Sequence, residues 1–395
     1  MKKERREQSQ RLALHFIILL GVVSLFGDIT YEGARSVAGP YLATLGASAT
    51  LVGLIAGIGE FIGYALRLAS GYLADRTKAY WLLTFIGYGL LLSIPLLAFA
   101  GHWHLAAILI ILERMGKAIR SPARDTILSY ATKEVGRGWG FGIHEALDQI
   151  GAIIGPLTFS LVFLLNGGYQ EGFTILWIPA LLTLAILAVA RKKVPSPQKL
   201  ESPLETTGGS AKDKLPRVFW LYTLFTFFSV AGFATFLLIS YHLKIHAIVP
   251  DTQIPLFYAI AMGVDALVAL LIGKMYDKIG LISLLAIPLL SLPIPFLAFS
   301  YSYHLVLIGI ILWGAVMGIQ ETIMRAAIAD LSPIERRGFA YGIFNMAYGA
   351  SWFMGSAVMG LLYGLSINYL ILFAISMELI SMPVFLLVNR ARNLS

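Results

Sequence analysis

The stretch that decides the fold is GYLADRTK at residues 71–78, because a related stretch, GKMYDKIG, recurs at residues 273–280. Both stretches end an apolar run with a glycine, an aspartate and a basic residue. A second pair, RGWGFGI at 137–143 and RGFAYGI at 337–343, has almost the same separation. The offsets are 202 residues for the first pair and 200 residues for the second. Two loops repeated at one separation predict a chain of two parallel halves with similar structures.

The composition indicates that most of the chain faces lipid. The protein has 395 residues, of which 58% are hydrophobic and 13% charged, and its mean hydropathy is +0.77. Soluble proteins have about 45–50% apolar and about 25% charged residues. The net charge of +8 comes from Lys and Arg clustered between apolar runs, which argues against a nucleic-acid-binding face. The absence of cysteine excludes disulfides, thiolate metal sites and cysteine nucleophiles.

The apolar runs predict an all-α integral membrane protein with twelve transmembrane helices in two pseudo-symmetric six-helix bundles. The N-terminal bundle covers residues 1–193 and the C-terminal bundle covers residues 217–395. Residues 194–216 are rich in Pro, Ser, Gly and charge, which predicts a cytoplasmic linker between them. The predicted helices cover residues 12–42, 48–74, 80–100, 104–122, 139–166, 172–192, 217–245, 253–275, 281–300, 304–327, 338–364 and 368–389.

Basic residues are concentrated in alternate loops. They flank the predicted helices on one side only, apart from Lys244 on the other side. Because cytoplasmic loops carry the excess of Lys and Arg, both termini are predicted to be cytoplasmic and the chain to cross the cell (plasma) membrane several times. The basic residues on that side include Arg5, Arg6, Arg76, Lys78, Arg124, Arg137, Lys192, Lys193, Lys278, Arg336, Arg337 and Arg390.

The repeated stretch resembles the loop 2–3 signature of the major facilitator superfamily, Gly-x-Leu-x-Asp-Arg-x-Gly followed by two basic residues. The second glycine and the basic pair of the signature are degraded in residues 77–80. Glycine lets helices pack closely, and the aspartate can cap a helix or pair with a cytoplasmic arginine. The resemblance implies the major facilitator fold with these residues at an inner gate. The predicted gate residues are Gly71, Asp75, Arg76, Arg124, Gly273 and Asp277.

The stretch GAIIGP at residues 151–156 resembles the Gly-x-x-x-Gly-Pro motif that antiporters of this superfamily carry in helix 5. Gly151 and Gly155 would permit close approach of a facing helix, and Pro156 would kink the helix. Ordinary small-residue packing with a tolerated proline is the alternative explanation. ERMGKAIRSPARD at 113–125 resembles an exporter-like prokaryotic subgroup.

Ionisable residues at membrane depth are the main functional candidates, because a charge there costs at least ~2.5–3.5 kcal/mol. Asp28, Glu32 and Arg35 recur at i, i+4 and i+7, which places them on one face of the first helix. The resemblance to antiporters implies that Asp28 and Glu32 accept protons or cations and that Arg114 is their partner. A static interhelical ion pair is the alternative for each. The candidate coupling or substrate-path residues are Asp28, Tyr31, Glu32, Arg35, Glu60, Arg114, Glu145 and Asp148.

These features together predict a proton-coupled exporter of small organic or drug-like molecules that works by alternating access. Alternatives are a metal or organic-ion exporter, a proton-coupled uptake symporter, and a sensor or lipid flippase. No Walker loop or dinucleotide fingerprint occurs, so we expect no enzyme activity and no cofactor, with a proton gradient as the energy source. His242 and His246 read as interfacial residues, so we expect no metal site. The expected partners are a small-molecule substrate, protons and membrane lipid, with no nucleic acid, and we expect a monomer.

Overall fold

The computed structural model describes residues 2–135, 137–197, 215–332 and 337–392, and these residues form helices without any strand. Short 3-10 segments occur at Leu91–Ser93, Pro95–Phe99 and Gly280–Leu285. The α-helices are α1 Lys2–Thr44, α2 Ala49–Thr77, α3 Tyr80–Leu90, α4 Trp103–Val135, α5 Arg137–Leu164, α6 Tyr169–Ile175, α7 Trp177–Lys193, α8 Arg217–Ala231, α9 Phe236–Ile245, α10 Gln253–Ile279, α11 Ala286–Ser291, α12 Ile294–Ala298, α13 Tyr303–Leu331, α14 Arg337–Leu365 and α15 Ile367–Arg392.

Ten helical segments among the described residues are long and apolar enough to cross a membrane. The two remaining predicted spans coincide with α4 and α14, which are long helices of lower hydropathy. Helix α4 carries Glu113, Arg114, Lys117 and Arg120 within two turns, and α14 is rich in Gly, Ser and Tyr. The all-helical membrane fold is therefore confirmed, whereas the count of twelve spans stays a prediction.

Four of the predicted helices are interrupted, which corrects their prediction as continuous segments. The segment over 80–100 ends its α-helix at Leu90 and continues through Pro95 as 3-10 turns. The segment over 281–300 contains three prolines, at 288, 293 and 295, and breaks into short pieces. Proline lacks the N–H needed for the helical ladder, which explains both interruptions. The segment over 172–192 breaks at Leu176, three residues before Pro179.

The fourth interruption separates α8 from α9 at residues 232–235. Gly232 lies there because α15 approaches closely: a Cβ atom on Gly232 would lie 2.8 Å from the carbonyl oxygen of Ala374. The interruption frees backbone groups, and the fully buried Trp313 satisfies one of them. Its Nε1 donates to the carbonyl oxygen of Ala234 at 2.8 Å. A buried carbonyl that leaves the helical ladder needs such a donor in lipid.

The described residues pack into two compact units. The first unit contains the residues up to Arg35 together with those from Leu66 to 197. The second unit contains Ser36–Ala65 together with the residues from 215 onward. In the second unit α2 packs on α14, where a Cβ atom on Gly57 would lie 2.9 Å from the carbonyl oxygen of Phe353. The predicted division of the chain into two bundles, residues 1–193 and residues 217–395, joined by a linker at 194–216, stays a prediction.

The internal repeat is visible in matching helix contacts. In the first unit, a Cβ atom on Gly155 would lie 2.5 Å from the carbonyl oxygen of Ile29. In the second unit, a Cβ atom on Gly355 would lie 2.8 Å from the Cα atom of Ala231. The two glycines are 200 residues apart and their partners are 202 residues apart. The offsets found in the loops therefore also relate the helix contacts.

One turn earlier, the repeated contact differs in chemistry. Gly151 packs against the carbonyl oxygen of Leu25. Its counterpart at offset 200 is Ser351, whose hydroxyl donates to the carbonyl oxygen of Phe227, the residue 202 positions after Leu25. The same crossing is therefore bare backbone contact in the first unit and a hydrogen bond in the second.

Candidate functional site

The candidate site is built on α1, where the predicted face of ionisable residues lies against α4 and α5. Tyr31 and Glu32 are buried, and Asp28 and Arg35 are partly buried. Arg35 Nη1 lies 3.8 Å from Glu32 Oε1, one turn away on the same helix. The i, i+3 and i+4 spacing therefore forms the polar face that the sequence predicts.

Tyr31 contacts three cationic side chains. Arg114 Nη1 donates a hydrogen bond to the Tyr31 hydroxyl, and Arg35 Nη1 donates to the same oxygen at 3.3 Å. Lys117 Nζ lies 3.9 Å from the centroid of the ring, within the range of a cation–π interaction. The phenol oxygen and the ring face both attract positive charge, so Tyr31 holds α4 against α1 through electrostatics.

Lys117 is a site residue that the sequence-based candidate list omits. Its Nζ lies 4.0 Å from Glu32 Oε1, so Glu32 is close to both Lys117 and Arg35. Lys117 follows Arg114 by three residues, which places the two on one face of α4. That shared face was the signal available in the sequence, although spacing alone does not fix which way α4 is rotated.

Asp28 is positioned where α5 crosses α1. A Cβ atom on Gly151 would lie 3.1 Å from the Cβ atom of Asp28, so the absence of a side chain at Gly151 lets α5 approach the carboxylate. Asp148 precedes Gly151 by one turn and interacts electrostatically with Asp28, as do Glu32, Lys117 and Arg120. Three predicted carboxylates, Asp28, Glu32 and Asp148, are thus brought together with cations of α4.

A second ion pair lies on α4 itself. Arg120 Nη2 lies 3.5 Å from Glu113 Oε1, and both side chains are 2% exposed. The guanidinium of Arg120 also lies over the Tyr88 ring at 4.8 Å. Gly87 makes room for it, since a Cβ atom there would lie 2.5 Å from the Cβ atom of Arg120. Burial of a paired charge is tolerable in lipid, where an isolated one is not.

Arg124, a predicted gate residue, links α4 to α1. Its Nη1 donates to Ser24 Oγ at 2.9 Å, and its Nη2 lies 2.9 Å from Asp125 Oδ1. Ser24 is in turn 3.3 Å from the Tyr88 hydroxyl. On α5, His144 is 4% exposed. Among the described residues, neither His144 Nε2 nor Asp148 Oδ1 has a hydrogen-bond partner.

The other residues singled out in the sequence lie on α2 and α5. Glu145 is exposed on α5 and accepts a 3.5 Å hydrogen bond from Gln149 Nε2. Glu60 is partly buried and belongs to the second unit. Pro156 lies inside α5, one residue after Gly155. Within the described residues, no group of three or more His, Cys, Asp or Glu side chains is arranged to hold a metal ion.

The predicted gate residues of the 71–78 stretch lie at the end of α2. Asp75 and Arg76 are exposed, and no ion pair of Asp75 is seen with any described side chain. A Cβ atom on Gly71 would lie 3.7 Å from Pro122, and one on Gly273 would lie 3.7 Å from Thr322. Both are ordinary contacts, so our expectation that Gly71 is needed for close packing is wrong. The Asp277 side chain lies outside the described part of the protein.

The turn after α2 has a positive φ at the position where the signature has its second glycine, although that residue is a lysine here. Lys78 takes the position of the second glycine and has a φ of +55°. Gly280, 202 residues later, has a φ of +62°. A positive φ suits glycine and strains a residue with a Cβ atom. Both positions that follow the repeated aspartate therefore have a positive φ, which strains the lysine of the first half and suits the glycine of the second.

A helical membrane fold of two repeated halves, with a cluster of ionisable groups inside it, defines a secondary transporter. The chain belongs to the Major Facilitator Superfamily, whose family model matches residues 18–356 and 249–394. It is therefore a multi-pass membrane transporter.

Relatives of known sequence extend along nearly the whole chain. An uncharacterized protein of Mycobacterium tuberculosis is 42% identical over 385 residues, covering 96% of this chain and 94% of the relative. An uncharacterized MFS-type transporter of Methanocaldococcus jannaschii is 29% identical over 390 residues, covering 96% of each.

Two solved structures share the fold. The nucleoside transporter NupG superposes with a TM-score of 0.76 at 13% identity, covering 94% of this chain and 99% of NupG. An inward-facing bacterial homologue of the human lysosomal transporter Spinster has a TM-score of 0.74 at 14% identity, covering 96% and 97%. The two superpositions show that the fold is shared. At identities this low they carry no information on the substrate or the direction of transport of this chain.

Proposed function

We propose that this transporter is a proton-coupled antiporter that exports small organic molecules, with Asp28 and Glu32 as the proton acceptors. The observation that carries the proposal is the electrostatic contact of Asp28 with Asp148, Glu32, Lys117 and Arg120 on three helices. Carboxylates that share a site with movable cations can exchange a proton when the cations are redistributed.

The chemistry follows from what surrounds each carboxylate. Glu32 lies near Arg35 and Lys117, so two cations face its carboxylate. We infer that Lys117 turns toward a substrate or another partner during transport, and that the carboxylate then exchanges this cation for a proton. Tyr31 gives the cations an alternative neutral partner, since its hydroxyl and ring contact Arg35, Arg114 and Lys117. Substrate release and proton uptake would be coupled in this way as the two halves rock.

The direction of transport rests on the GAIIGP stretch. Gly151 and Gly155 hold α5 against α1 beside Asp28, and Pro156 follows within the helix. This arrangement supports an antiporter, whose kinked helix would move relative to the proton site. Uptake is the second candidate, because NupG, which has the same fold, is named as a nucleoside transporter. Export of a metal or an organic ion is a third, supported by the clustered carboxylates.

The remaining features of the proposal follow from the sequence. We place the transporter in the plasma membrane with both termini in the cytoplasm, because Lys and Arg lie in alternate loops. The proton gradient supplies the energy without a cofactor, and the protein works as a monomer that handles substrate, protons and lipid, with no nucleic acid.

Purified protein in liposomes under an imposed pH gradient tests the proposal. Aromatic cationic dyes, organic anions, nucleosides and divalent metals are offered as substrates, and proton movement is followed with a pH-sensitive dye inside the liposomes. We expect substrate and protons to move in opposite directions. Asp28→Asn and Glu32→Gln should each abolish gradient-driven movement, whereas Glu171→Gln, an exposed carboxylate at the start of α6, should leave it unchanged.

Three results would contradict the proposal. Movement of protons and substrate in the same direction would establish a symporter. Gradient-driven transport that survives in both Asp28→Asn and Glu32→Gln would exclude these residues as proton acceptors. Transport of divalent metals without any organic substrate would identify a metal exporter.

A further inference from the structure

The second unit contains a carboxyl group that is separate from the ionisable cluster of α1, α4 and α5. Glu378 lies near the middle of the 26-residue span Ile367–Arg392, and its side chain is fully buried. It is not among the candidate residues that the sequence predicts. Because the carboxyl group is shielded from solvent, its charge state depends on the side chains around it.

Two serine hydroxyls are the described side chains that interact with this carboxyl group. Ser229 Oγ of α8 donates to Glu378 Oε2 at 3.2 Å. Ser291, at the end of α11, also faces the carboxyl group. Neither Ser291 Oγ nor Glu378 Oε1 forms a regular hydrogen bond with a described residue, although both atoms are buried. The site therefore holds two polar atoms whose hydrogen-bonding capacity is unused.

No cation among the described residues compensates a charge at this carboxyl group. The neighbouring segments α11, α12 and Gly280–Leu285 contain no ionisable residue. The tyrosines of α8 and α14 do not interact with the carboxyl group either. The basic residues of α8, α14 and α15 are at the helix ends, at Arg217, Arg337, Arg390 and Arg392.

These surroundings favour a neutral carboxyl group over a carboxylate. An unpaired charge at membrane depth is costly, and a buried acid that lacks a cation becomes neutral by taking up a proton. A proton on Glu378 Oε1 also creates a donor, which the hydroxyl oxygen of Ser291 can accept. One proton thus removes the charge and satisfies both of the unused polar atoms.

The carboxyl group lies beside the interruption between α8 and α9. A Cβ atom on Gly232 would lie 3.2 Å from Glu378 Cγ and 2.8 Å from the carbonyl oxygen of Ala374. Ser229 belongs to the last turn of α8 before this interruption. A carboxylate at this crossing would need water or a cation between α15 and the end of α8, whereas a neutral acid lets the two helices stay in direct contact.

We propose that Glu378 is a proton-binding site of the second unit, where a proton on Oε1 is held at neutral pH and donated in a hydrogen bond to Ser291 Oγ. The neutral group joins α15 to α11 through Ser291 and to α8 through Ser229. The site is distinct from the proposed proton acceptors Asp28 and Glu32, and it does not rest on their role. Its proton stays bound during transport, because no described cation is placed to replace it.

Infrared difference spectra of the purified full-length protein in lipid vesicles at neutral pH test the proposal. Glu378→Gln is neutral and keeps both an oxygen acceptor and an N–H donor. Wild type minus Glu378→Gln should show the C=O stretch of a protonated carboxylic acid, which shifts in heavy water. Glu171→Gln is the matched control at an exposed carboxylate, and its difference spectrum should show carboxylate bands alone. Carboxylate bands in the Glu378→Gln difference spectrum would overturn the proposal.

Two serine variants test the site even if Glu378→Gln does not fold. Ser229→Ala removes the donor to Glu378 Oε2 and should move the C=O band of the acid to higher wavenumber. Ser376→Ala, whose hydroxyl donates to Leu372 of its own helix, should leave the band in place. An unchanged band in Ser229→Ala would overturn the assignment to Glu378. An acid band that appears only after sodium is replaced by choline would overturn it in favour of a sodium site.

Transport measurements separate this proposal from the proposed function. Glu378→Gln should keep gradient-driven transport, because it reproduces the neutral state. Loss of transport in folded Glu378→Gln would show that the proton is released during the cycle and would overturn its permanent binding. If the acid band is found but no substrate is exchanged for protons, the site at Glu378 stands and the proposed antiport falls.

Discussion

Gly155 on α5 and Gly33 on α1 pack backbone against backbone, so that a Cβ atom on Gly155 would lie 2.7 Å from the backbone nitrogen of Gly33. The contact lies between Asp28 and Arg35 along α1, which makes it the mechanical support of the ionisable cluster. Any side chain at Gly155 would have to push α5 away from α1 and with it Asp148 from Asp28.

Replacing Gly155 with alanine is therefore expected to destabilise the protein by about 1–3 kcal/mol, because overpacking forces a backbone shift. Thermal unfolding in detergent measures the change. Gly142→Ala is the matched control on the same helix, since a Cβ atom there meets nothing within 4 Å. It should be neutral or stabilising, by up to about 1 kcal/mol, through helix propensity. A loss of stability of equal size in both variants would argue against the packing explanation.

Replacing Lys78 with glycine should stabilise the protein by about 0.5–1 kcal/mol. The residue has a φ of +55°, where a Cβ atom is unfavourable and glycine is not. Lys78→Ala keeps the Cβ atom while removing the amine, so it should bring no such gain. Unfolding midpoints of the two variants, measured side by side, separate backbone strain from side-chain charge. A stabilisation that appears in both would assign the effect to the lost charge instead.

Replacing Tyr31 with phenylalanine removes the oxygen that accepts from Arg114 and Arg35 but keeps the ring beneath Lys117. Loss of hydrogen bonds from charged groups should cost about 1.5–3 kcal/mol in unfolding free energy and slow gradient-driven transport about tenfold or more. Tyr72→Phe is the control, because Tyr72 is 66% exposed. Unchanged transport by Tyr31→Phe, in protein of confirmed stability, would remove Tyr31 from the coupling mechanism.

Replacing Ser351 with alanine removes the hydroxyl that donates to the Phe227 carbonyl. We expect a loss of about 0.5–1.5 kcal/mol in stability, which is the usual net value of one hydrogen bond. Ser376→Ala is the control, since within the described part of the chain that hydroxyl donates to a carbonyl of its own helix, at Leu372. Equal melting temperatures for Ser351→Ala and the wild-type protein would show that the hydrogen bond contributes nothing measurable.

The sequence predicts the helices and the polar face of α1 because both depend on local periodicity. The spacing of Asp28, Glu32 and Arg35 places them on one face of α1. The spacing of Gly151 and Gly155 predicts that α5 packs closely against another helix. The rotation of α4 is different, because charges occur on several of its faces and spacing does not choose among them. The contacts of Lys117 with Tyr31 and Glu32 depend on that rotation.

The interruptions of the predicted helices have two origins, and only one of them can be recognised in the sequence. Those near Pro95 and Pro288 follow from residues that cannot donate a backbone hydrogen bond. The one between α8 and α9 has no proline, and it depends on Trp313, a residue about eighty positions later that takes up the carbonyl of Ala234. Long-range compensation of this kind leaves no local pattern to read.

The hydrogen bond from Trp313 to Ala234 couples the movement of two helices in the second unit. An interruption in the middle of a helix would ordinarily allow the following segment, here α9, to tilt independently of α8. Here the carbonyl oxygen of Ala234 at the interruption accepts a hydrogen bond from Trp313 of α13. Tilting α9 therefore either breaks a buried hydrogen bond or drags α13 along with it.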